Sequence, residues 1–450
     1  MTRRPIAIAL AVLLLPLGAQ AEDLLQSYEL ARSSDPQLAA AESIRLITRE
    51  GEVQSRAAFL PQIGGSVGAN YSDTTSQLGS GFKVSNGGGG RSYGLSVDQS
   101  IFSFGNISRH RSQRSLSQAA DFQLEAAGDS LITRTSAAYF NVLVAMETLL
   151  AAEAQETALK KQFDFADKRL EVGLAPITDV HEARAQYDRA RANTIVTRNA
   201  LEDAYRALEE ITGKEVRALN ALPQDFQPQL PSALDVEGWV QTAVDSNPAL
   251  KAKELELSSA ESDIDTARAG HLPTVGLSAT YGNNRSMFNG DIGPAGIDSS
   301  DTSSVGLTVN IPIFAGGATQ SRVRQALAQR DVTEDQLDQQ RRALVRNTHN
   351  AYQTLVAGIS EVEARKAAVF SARSAYDASQ VGLEVGTRTV LDVLNNQQTL
   401  FNAEREYALS RYNFLQNRLQ LEQAAGTLDL DDLQDVNRLL TVEPGAGKTP

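Results

Sequence analysis

The chain contains no cysteine, only four histidines and a single tryptophan. Without cysteine there is no disulfide, no thiolate metal site and no lipid attached through sulfur. His110, His181, His271 and His349 are scattered along the sequence, so neither a metal centre nor a cofactor site is expected. Basic charge is also short, with 42 Lys and Arg against 55 Asp and Glu. The net charge of -13 becomes about -15 if Arg3 and Arg4 leave with a leader, which argues against a nucleic-acid partner. No nucleophile, base and orienting group form a recognisable set, so an enzyme is not expected. Proline is missing from 62–175 and 313–443, so nothing there forces a helix to stop. Aromatic residues make up only 6% of a chain with much Ala, Gln, Arg and Glu, a balance that suits long helices better than one large globular core. Long apolar runs are lacking too. Ile6–Leu17 falls well under the ~18 residues of a span, and Arg3, Arg4 before it and Ala19-Gln20-Ala21 after it make 1–21 a signal peptide. Beyond it no apolar run approaches a spanning helix.

What is present is a repetition. LEVGLAPITDV at Leu170–Val180 returns as LEVGTRTVLDV at Leu383–Val393. At the same offset, or one residue less upstream, Asp35-Pro36 falls on Asn247-Pro248 and Leu60-Pro61 on Leu272-Pro273. Ile101-Phe102 likewise falls on Ile313-Phe314, Tyr139 on Tyr352 and Gly213 on Gly426. A register held this long marks a tandem duplication, whose two units should share one fold.

Within each unit the apolar period changes. Leu124, Leu131, Ala138 and Ala145 recur every seven residues, as do Ile132, Tyr139 and Met146. The second unit answers with Leu337, Leu344, Ala351 and with Val345, Tyr352, Ile359. Sevenfold spacing predicts coiled-coil-like packing, in helices of roughly 100 Å at 1.5 Å per residue. Ile63, Val67, Ala69, Tyr71 and Tyr93, Leu95, Val97, Ile101 instead alternate with small polar residues, as do Val275, Leu277, Ala279, Tyr281 and Val305, Leu307, Val309, Ile311. These strands of about ten residues fit a sheet lying on a soluble core, but they also have the length that crosses a bilayer when tilted. An exported chain with such strands and no spanning helix favours an outer-membrane barrel. Four strands cannot close one, since about eight is the minimum, so the chain should oligomerise.

The expected organisation is a signal peptide at 1–21 and repeat 1 at 22–213, with a helix at 24–59, strands at 62–71 and 92–102, and helices at 105–173 and 178–212. A linker at 214–236 leads to repeat 2 at 237–426, with a helix at 237–271, strands at 274–282 and 304–314, and helices at 317–385 and 390–425. An equatorial segment and disordered tail occupy 427–450. Ser72–Arg91 and Asn283–Ser303 read as surface loops, with Gly87–Gly90 a flexible tip. The ending Gly447-Lys448-Thr449 imitates a phosphate loop, but Val442 stands where its first glycine belongs. Gly173 and Gly386 are placed to end helices, which makes the twin phrases hairpin tips.

VGLAPITDVHEARAQYD (Val172–Asp188), VGTRTVLDVLNNQQTL (Val385–Leu400) and the junctions SVDQSIFSFG and TVNIPIFAGG resemble the TolC-like outer-membrane channels of Gram-negative export systems, over about Leu24–Leu440. The resemblance implies a mixed α and β membrane protein. Two tandem repeats per chain give four β-strands to a trimeric 12-strand β-barrel, and long α-helical hairpins form a coiled-coil-like periplasmic tunnel. It implies a passive, non-enzymatic conduit in the outer membrane and its lipid, passing small molecules or proteins. The implied partners are two further copies, a periplasmic adaptor (membrane fusion) protein and an inner-membrane ABC, RND or MFS transporter. A related branch carries a lipidated N-terminal cysteine, which this chain cannot. The competing reading is a non-conducting coiled-coil scaffold or adhesin of the envelope, which has no need of four strands with small polar inner faces.

The resemblance also assigns the tips. Asp392 would form a ring at the periplasmic aperture, while its counterpart Asp179 is a first-turn acid favoured by the helix dipole. Asn395 stands where the best-known member has a second aspartate, so the ring should carry half the charge. Links to a neighbouring copy, Arg388 toward Asp179 and Gln162 toward Gln380, would latch the gate. Leu383 replaces a tyrosine of that latch, which should weaken it. Gly173, Leu174, Gly386 and Thr387 would form the turns and meet the adaptor.

Overall fold

A computed structural model describes residues 23–77, 83–223, 225–231, 234–290 and 296–441. The expected leader, the phosphate-loop-like ending and a short piece of each glycine- and serine-rich connection lie outside them. The order is α1 (Leu24–Ser34), α2 (Pro36–Ala57), β1 (Gln62–Gln77), β2 (Lys83–Phe102), α3 (Phe104–Glu171), α4 (Ile177–Thr212), α5 (Val236–Ser246), α6 (Pro248–Arg268), a 3₁₀ turn (Ala269–His271), β3 (Thr274–Gly290), β4 (Gly296–Asn310), α7 (Ala318–Glu384), α8 (Val390–Ala425) and α9 (Leu430–Leu439). Ala40–Ala126 with Pro248–Ala343 make one compact unit, and the other described residues make a second.

The single helices expected at 24–59 and 237–271 are each two helices. Pro36 and Pro248 have no N–H to donate and force the residue before them out of the helical region, so Asp35 and Asn247 are extended at ψ 119° and 120°. Asp35 serves both sides of its break. Its N–H closes α1 on the Ala31 carbonyl at 2.8 Å, and its carboxylate accepts from the Leu38 N–H at 2.8 Å and from Arg134 Nη2 at 2.7 Å. The Arg134 hydrogen bonds hold this carboxyl below its ordinary range.

The four strands form one antiparallel sheet in the order β1-β2-β3-β4. They are 15 to 20 residues long, where about ten were expected. Most of the presumed loop residues, Gly87–Gly90 included, continue the ladder. Glycine and serine dissuade a strand only when unpaired; here Gly87–Gly90 face Asp73–Asn70 on one side and Asn289–Ser286 on the other. At the opposite end β4 stops at Asn310, short of the expected 314, because Pro312 offers no ladder donor and Gly316 and Gly317 turn at positive φ. Ile63, Val97, Ala279 and Val305 stand in one cross-strand row, as do Leu277 and Leu307, so one face is apolar. The other face carries Ser66, Gly94, Gly282 and Thr302 in the same way.

In the second unit α3 gives Ile132, Tyr139, Phe140, Val142 and Leu143 to a cluster with Leu208, Leu219, Phe226, Leu355, Tyr412, Phe414 and Leu433. One 18-residue window of α3 is apolar enough to span a membrane, contrary to expectation, but half of it is buried within the chain and contributes to this core. The sevenfold row holds in α3, whereas in α7 the buried row is Thr348, Leu355 and Val362, and Val345 is 36% exposed. The segment 427–441 contains α9, which begins with a capping box between Asp429 and Asp432.

Glu422, near the end of α8, is 3% exposed. Arg418 Nε donates to its Oε1 at 3.1 Å, while Oε2 is buried without a hydrogen-bond partner among the described residues. Burial pushes the Glu422 carboxyl up to about 7; Arg418 opposes this, and Asp432 and Asp429 of α9 reinforce it. Between its ordinary 4.5 and about 7, the folded state therefore binds more protons than the unfolded chain. Stability falls as pH rises through that window and is flat above it, by on the order of 3 kcal/mol at most. Protection factors for amide exchange in α9 and the last turns of α8, taken relative to the intrinsic exchange rate at each pH, should be larger at pH 5 than at pH 8. Glu422→Gln should remove most of the difference, and an unchanged difference would refute this account.

Candidate functional site

Both hairpin tips are helix ends closed by a left-handed glycine. Gly173 has φ 76° and Gly386 φ 79°, in open space, so glycine serves the backbone angle and not a close approach. The Leu174 N–H donates to the Arg169 carbonyl at 2.8 Å and the Thr387 N–H to the Gly382 carbonyl at 2.8 Å. These are the six-to-one bonds of a Schellman turn. Leu174 is 69% exposed, and beside the turns so are Val172, Ile177 and Val385 at 57 to 68%. Apolar side chains are thus presented at both tips.

From here the tips diverge. α4 begins at Pro176, which supplies no side-chain cap. α8 begins at Thr389, whose hydroxyl accepts from the Asp392 N–H at 3.2 Å while Asp392 Oδ2 accepts from the Thr389 N–H at 2.9 Å. Asp179 lies in the first turn of α4, as expected of an acid favoured by the helix dipole, and Asp392 lies in the first turn of α8, where it also completes a capping box; its Oδ1 takes no hydrogen bond among the described residues. Backbone and hydroxyl bonds from Thr389, with Arg388 nearby, lower the Asp392 carboxyl below its ordinary value. It stays ionised through the neutral range. The signal, Thr389-x-x-Asp392, was in the sequence.

The arginines also differ. Arg169 Nη2 reaches back to the Leu174 carbonyl at 3.3 Å, closing the first tip. The position equivalent to Arg169 in the second repeat is Gly382, and a Cβ there would lie 2.6 Å from Arg388 Cγ. The Arg388 stem therefore folds over Gly382. Sequence reasoning missed Gly382, because only the fold-back contact reveals its role.

Within the chain no ion pair joins Arg388 to Asp179, and no hydrogen bond joins Gln162 to Gln380, among the described residues. Gln380 Nε2 donates to Tyr376 Oη at 2.6 Å, and buried Gln397 approaches the same hydroxyl at 3.4 Å. Gln162 Nε2 is buried with no hydrogen-bond partner among the described residues. Asn395 is exposed one turn after Asp392. Among the described residues no group of His, Asp and Glu could hold a metal ion.

Comparison with known proteins bears on the two repeats as a whole. The family described as outer membrane efflux protein matches residues 27–214 and again 239–427, once on each repeat. Outer membrane protein TolC of Escherichia coli is 36% identical, over 97% of this chain and 89% of that protein. Alkaline protease secretion protein AprF of Pseudomonas aeruginosa is 29% identical, over 98% of this chain and 91% of that protein. The crystal structure of the Campylobacter jejuni CmeC outer membrane channel superposes with a TM-score of 0.77 at 18% identity, covering 93% of this chain and 89% of that one. Two family matches in tandem, on a chain whose repeats each supply two strands and two hairpin helices, lead to one conclusion: this protein belongs to the outer membrane efflux protein family of TolC-like channels.

Proposed function

We infer that this protein is an outer-membrane export duct of the kind used in efflux and type I secretion. Its family is one of passive channels and not a class of enzymes. The observation that carries the reading is the sheet: on strands long enough to cross a bilayer, one face carries the apolar rows of Ile63, Val97, Ala279, Val305, Leu277 and Leu307, the other is small and polar, and the outer edges of β1 and β4 have no partner among the described residues. A lipid-facing wall cannot leave a strand edge open, so copies must join edge to edge. Three chains supply twelve strands. A non-conducting scaffold needs no polar inner face.

The tips act as the gate. Asp392, repeated three times about an axis, gives the periplasmic aperture a negative ring with Asn395 beside it. Arg388 reaches Asp179 of a neighbouring copy, and Gln162, whose Nε2 has no hydrogen-bond partner among the described residues, meets Gln380 of that copy. Exposed pairs of this kind contribute about 0.2 to 1 kcal/mol each, so several together form a latch that a partner can release. The apolar turns at Leu174 and around Gly386 and Thr387 offer that partner, a periplasmic adaptor, its contact. An inner-membrane transporter of the ABC, RND or MFS type supplies the energy.

Ion current through the purified protein in a planar bilayer tests this. Wild type should pass a small, cation-selective current. Arg388→Ser should raise it roughly several-fold by loosening the latch. Asp392→Asn, which retains a carbonyl for the capping box, should move selectivity toward that of bulk ions. A trimer that inserts but conducts in no variant would leave only the scaffold.

A further inference from the structure

The sheet register places two arginines side by side: Arg91 on β2 is the direct cross-strand partner of Arg285 on β3. Both have the parity of Tyr93, Leu95, Val97, Ala279 and Tyr281, so they lie on the apolar face and not on the small polar one. Both are exposed, and neither has an ion-pair or hydrogen-bond partner among the described residues. Directly opposed like charges repel, with Cβ atoms about 5 Å apart, and destabilise a sheet unless an anion lies between them. The nearest acid on that face, Asp301, stands one row nearer the helices and accepts from Asn283 Nδ2 at 2.7 Å. Asp73 is two rows further toward the hairpin ends.

Their height decides what anion is available. From Val275, the first apolar position of β3, to Arg285 is ten residues, or ~33 Å of strand, which is ~25 Å of height at a tilt of ~40°. That is the apolar thickness an outer-membrane wall presents to lipid. Tyr281 and Tyr93 occupy the two rows just before the arginines and Tyr71 the row just after. The pair thus sits in an aromatic girdle, at headgroup level. The strand ends away from this girdle lead into α2, α3, α6 and α7, so the girdle belongs to the outer leaflet. Ala69 and Ser299 flank the arginines on β1 and β4, and Gly89 follows Arg91 on its face, so small residues leave both guanidinium forks uncovered.

We propose that Arg91 and Arg285 together form a binding site for a phosphate of the phosphorylated glycolipid of the outer leaflet. Each planar fork offers two parallel N–H donors to phosphate oxygens, and the dianion removes the repulsion between the two cations. The acyl chains then lie along Leu95, Ala279 and Leu307. The proposal rests on the outer-membrane reading above and adds a specific lipid to it.

The test uses the full-length trimer, purified in mild detergent from a membrane that contains lipid A. Retained lipid is quantified by native mass spectrometry for wild type and for an Arg91→Ser, Arg285→Ser double variant. Loss of two charge-assisted contacts should lower retention of bisphosphorylated lipid A by about tenfold or more. Lipid A stripped of its phosphates, added back to delipidated wild type, should bind as weakly as the intact lipid binds the double variant. Millimolar inorganic phosphate should not raise the thermal midpoint. Equal retention by the two proteins would overturn the site. Stabilisation by inorganic phosphate matching that by the lipid would make it a free-anion site, and phosphatidylglycerol bound as tightly as lipid A would remove the outer-leaflet assignment. Planar-bilayer current from the same preparations separates the two readings: a double variant that conducts normally while retaining its lipid sinks only this inference, whereas wild type that fails to insert sinks the duct.

Discussion

Gly426→Ala is expected to lower the stability of the second unit by about 3 kcal/mol, more than the same change at its repeat counterpart Gly213. Both glycines end a helix in the left-handed region, at φ 69° and 67°. That shared conformation accounts for about 1 kcal/mol at each site. The difference lies in what a methyl group would strike. At Gly426 it would lie 2.6 Å from the Asn247 Cα and 2.7 Å from the Asn247 nitrogen, backbone atoms fixed by the α5–α6 break. The Asn247 side chain is held as well, donating through Nδ2 to the Ala424 carbonyl at 3.1 Å. At Gly213 the methyl would meet the Ser34 side chain, Cβ at 2.8 Å and Oγ at 3.1 Å, at the end of α1. Ser34 Cβ moves only with its backbone, but it is one atom at the last residue of α1, whereas the methyl at Gly426 strikes three backbone atoms, the Ser246 carbonyl carbon at 2.8 Å included. Thermal midpoints of the detergent-solubilised trimer, scanned at one rate, should therefore rank wild type above Gly213→Ala and that above Gly426→Ala. Equal losses at the two sites would show that the left-handed angle alone matters.

The same pair of contacts shows how much of the fold the sequence carried. The duplication was legible because Asp35-Pro36 and Asn247-Pro248, or Gly213 and Gly426, are rare words repeated in register. That the first pair breaks helices and the second packs against those breaks needs the third dimension. Strand existence was legible from alternation, but strand length was not, since the Gly87–Gly90 run looks like a loop until Asp73–Asn70 and Asn289–Ser286 pair with it. α9 could have been found from Asp429-x-x-Asp432 before an apolar stripe. At the tips the glycine turns were plain, and Thr389-x-x-Asp392 was a readable capping box. The stem of Arg388 over Gly382 was not, because no local pattern states which side chain folds back. The Arg91–Arg285 pair was hidden for a similar reason: it depends on a register between two repeats.

Arg411→Ala should be the other severe substitution, costing about 3 to 5 kcal/mol. Arg411 on α8 is 4% exposed at its side chain. Its Nη2 donates to both oxygens of Glu147 on α3, at 3.0 and 3.1 Å, and its Nη1 to the Pro223 carbonyl at 3.0 Å. Tyr412 Oη donates to Glu147 Oε1 at 3.1 Å, and the Leu222 N–H reaches Tyr412 Oη at 3.4 Å. One guanidinium thus ties two helices to the segment between α4 and α5. Removing it leaves Glu147, 18% exposed, with a single hydroxyl donor, and leaves the Pro223 carbonyl without its hydrogen bond. Most of the cost is that stranded carboxylate, not the worth of the pair. Arg411→Met with Glu147→Leu strands no charge and preserves volume, so it should recover more than half of the loss. Recovery would separate desolvation from packing: if the double variant were as unstable as Arg411→Ala, the arginine would matter for the tether to Pro223, and the charge pair would be incidental.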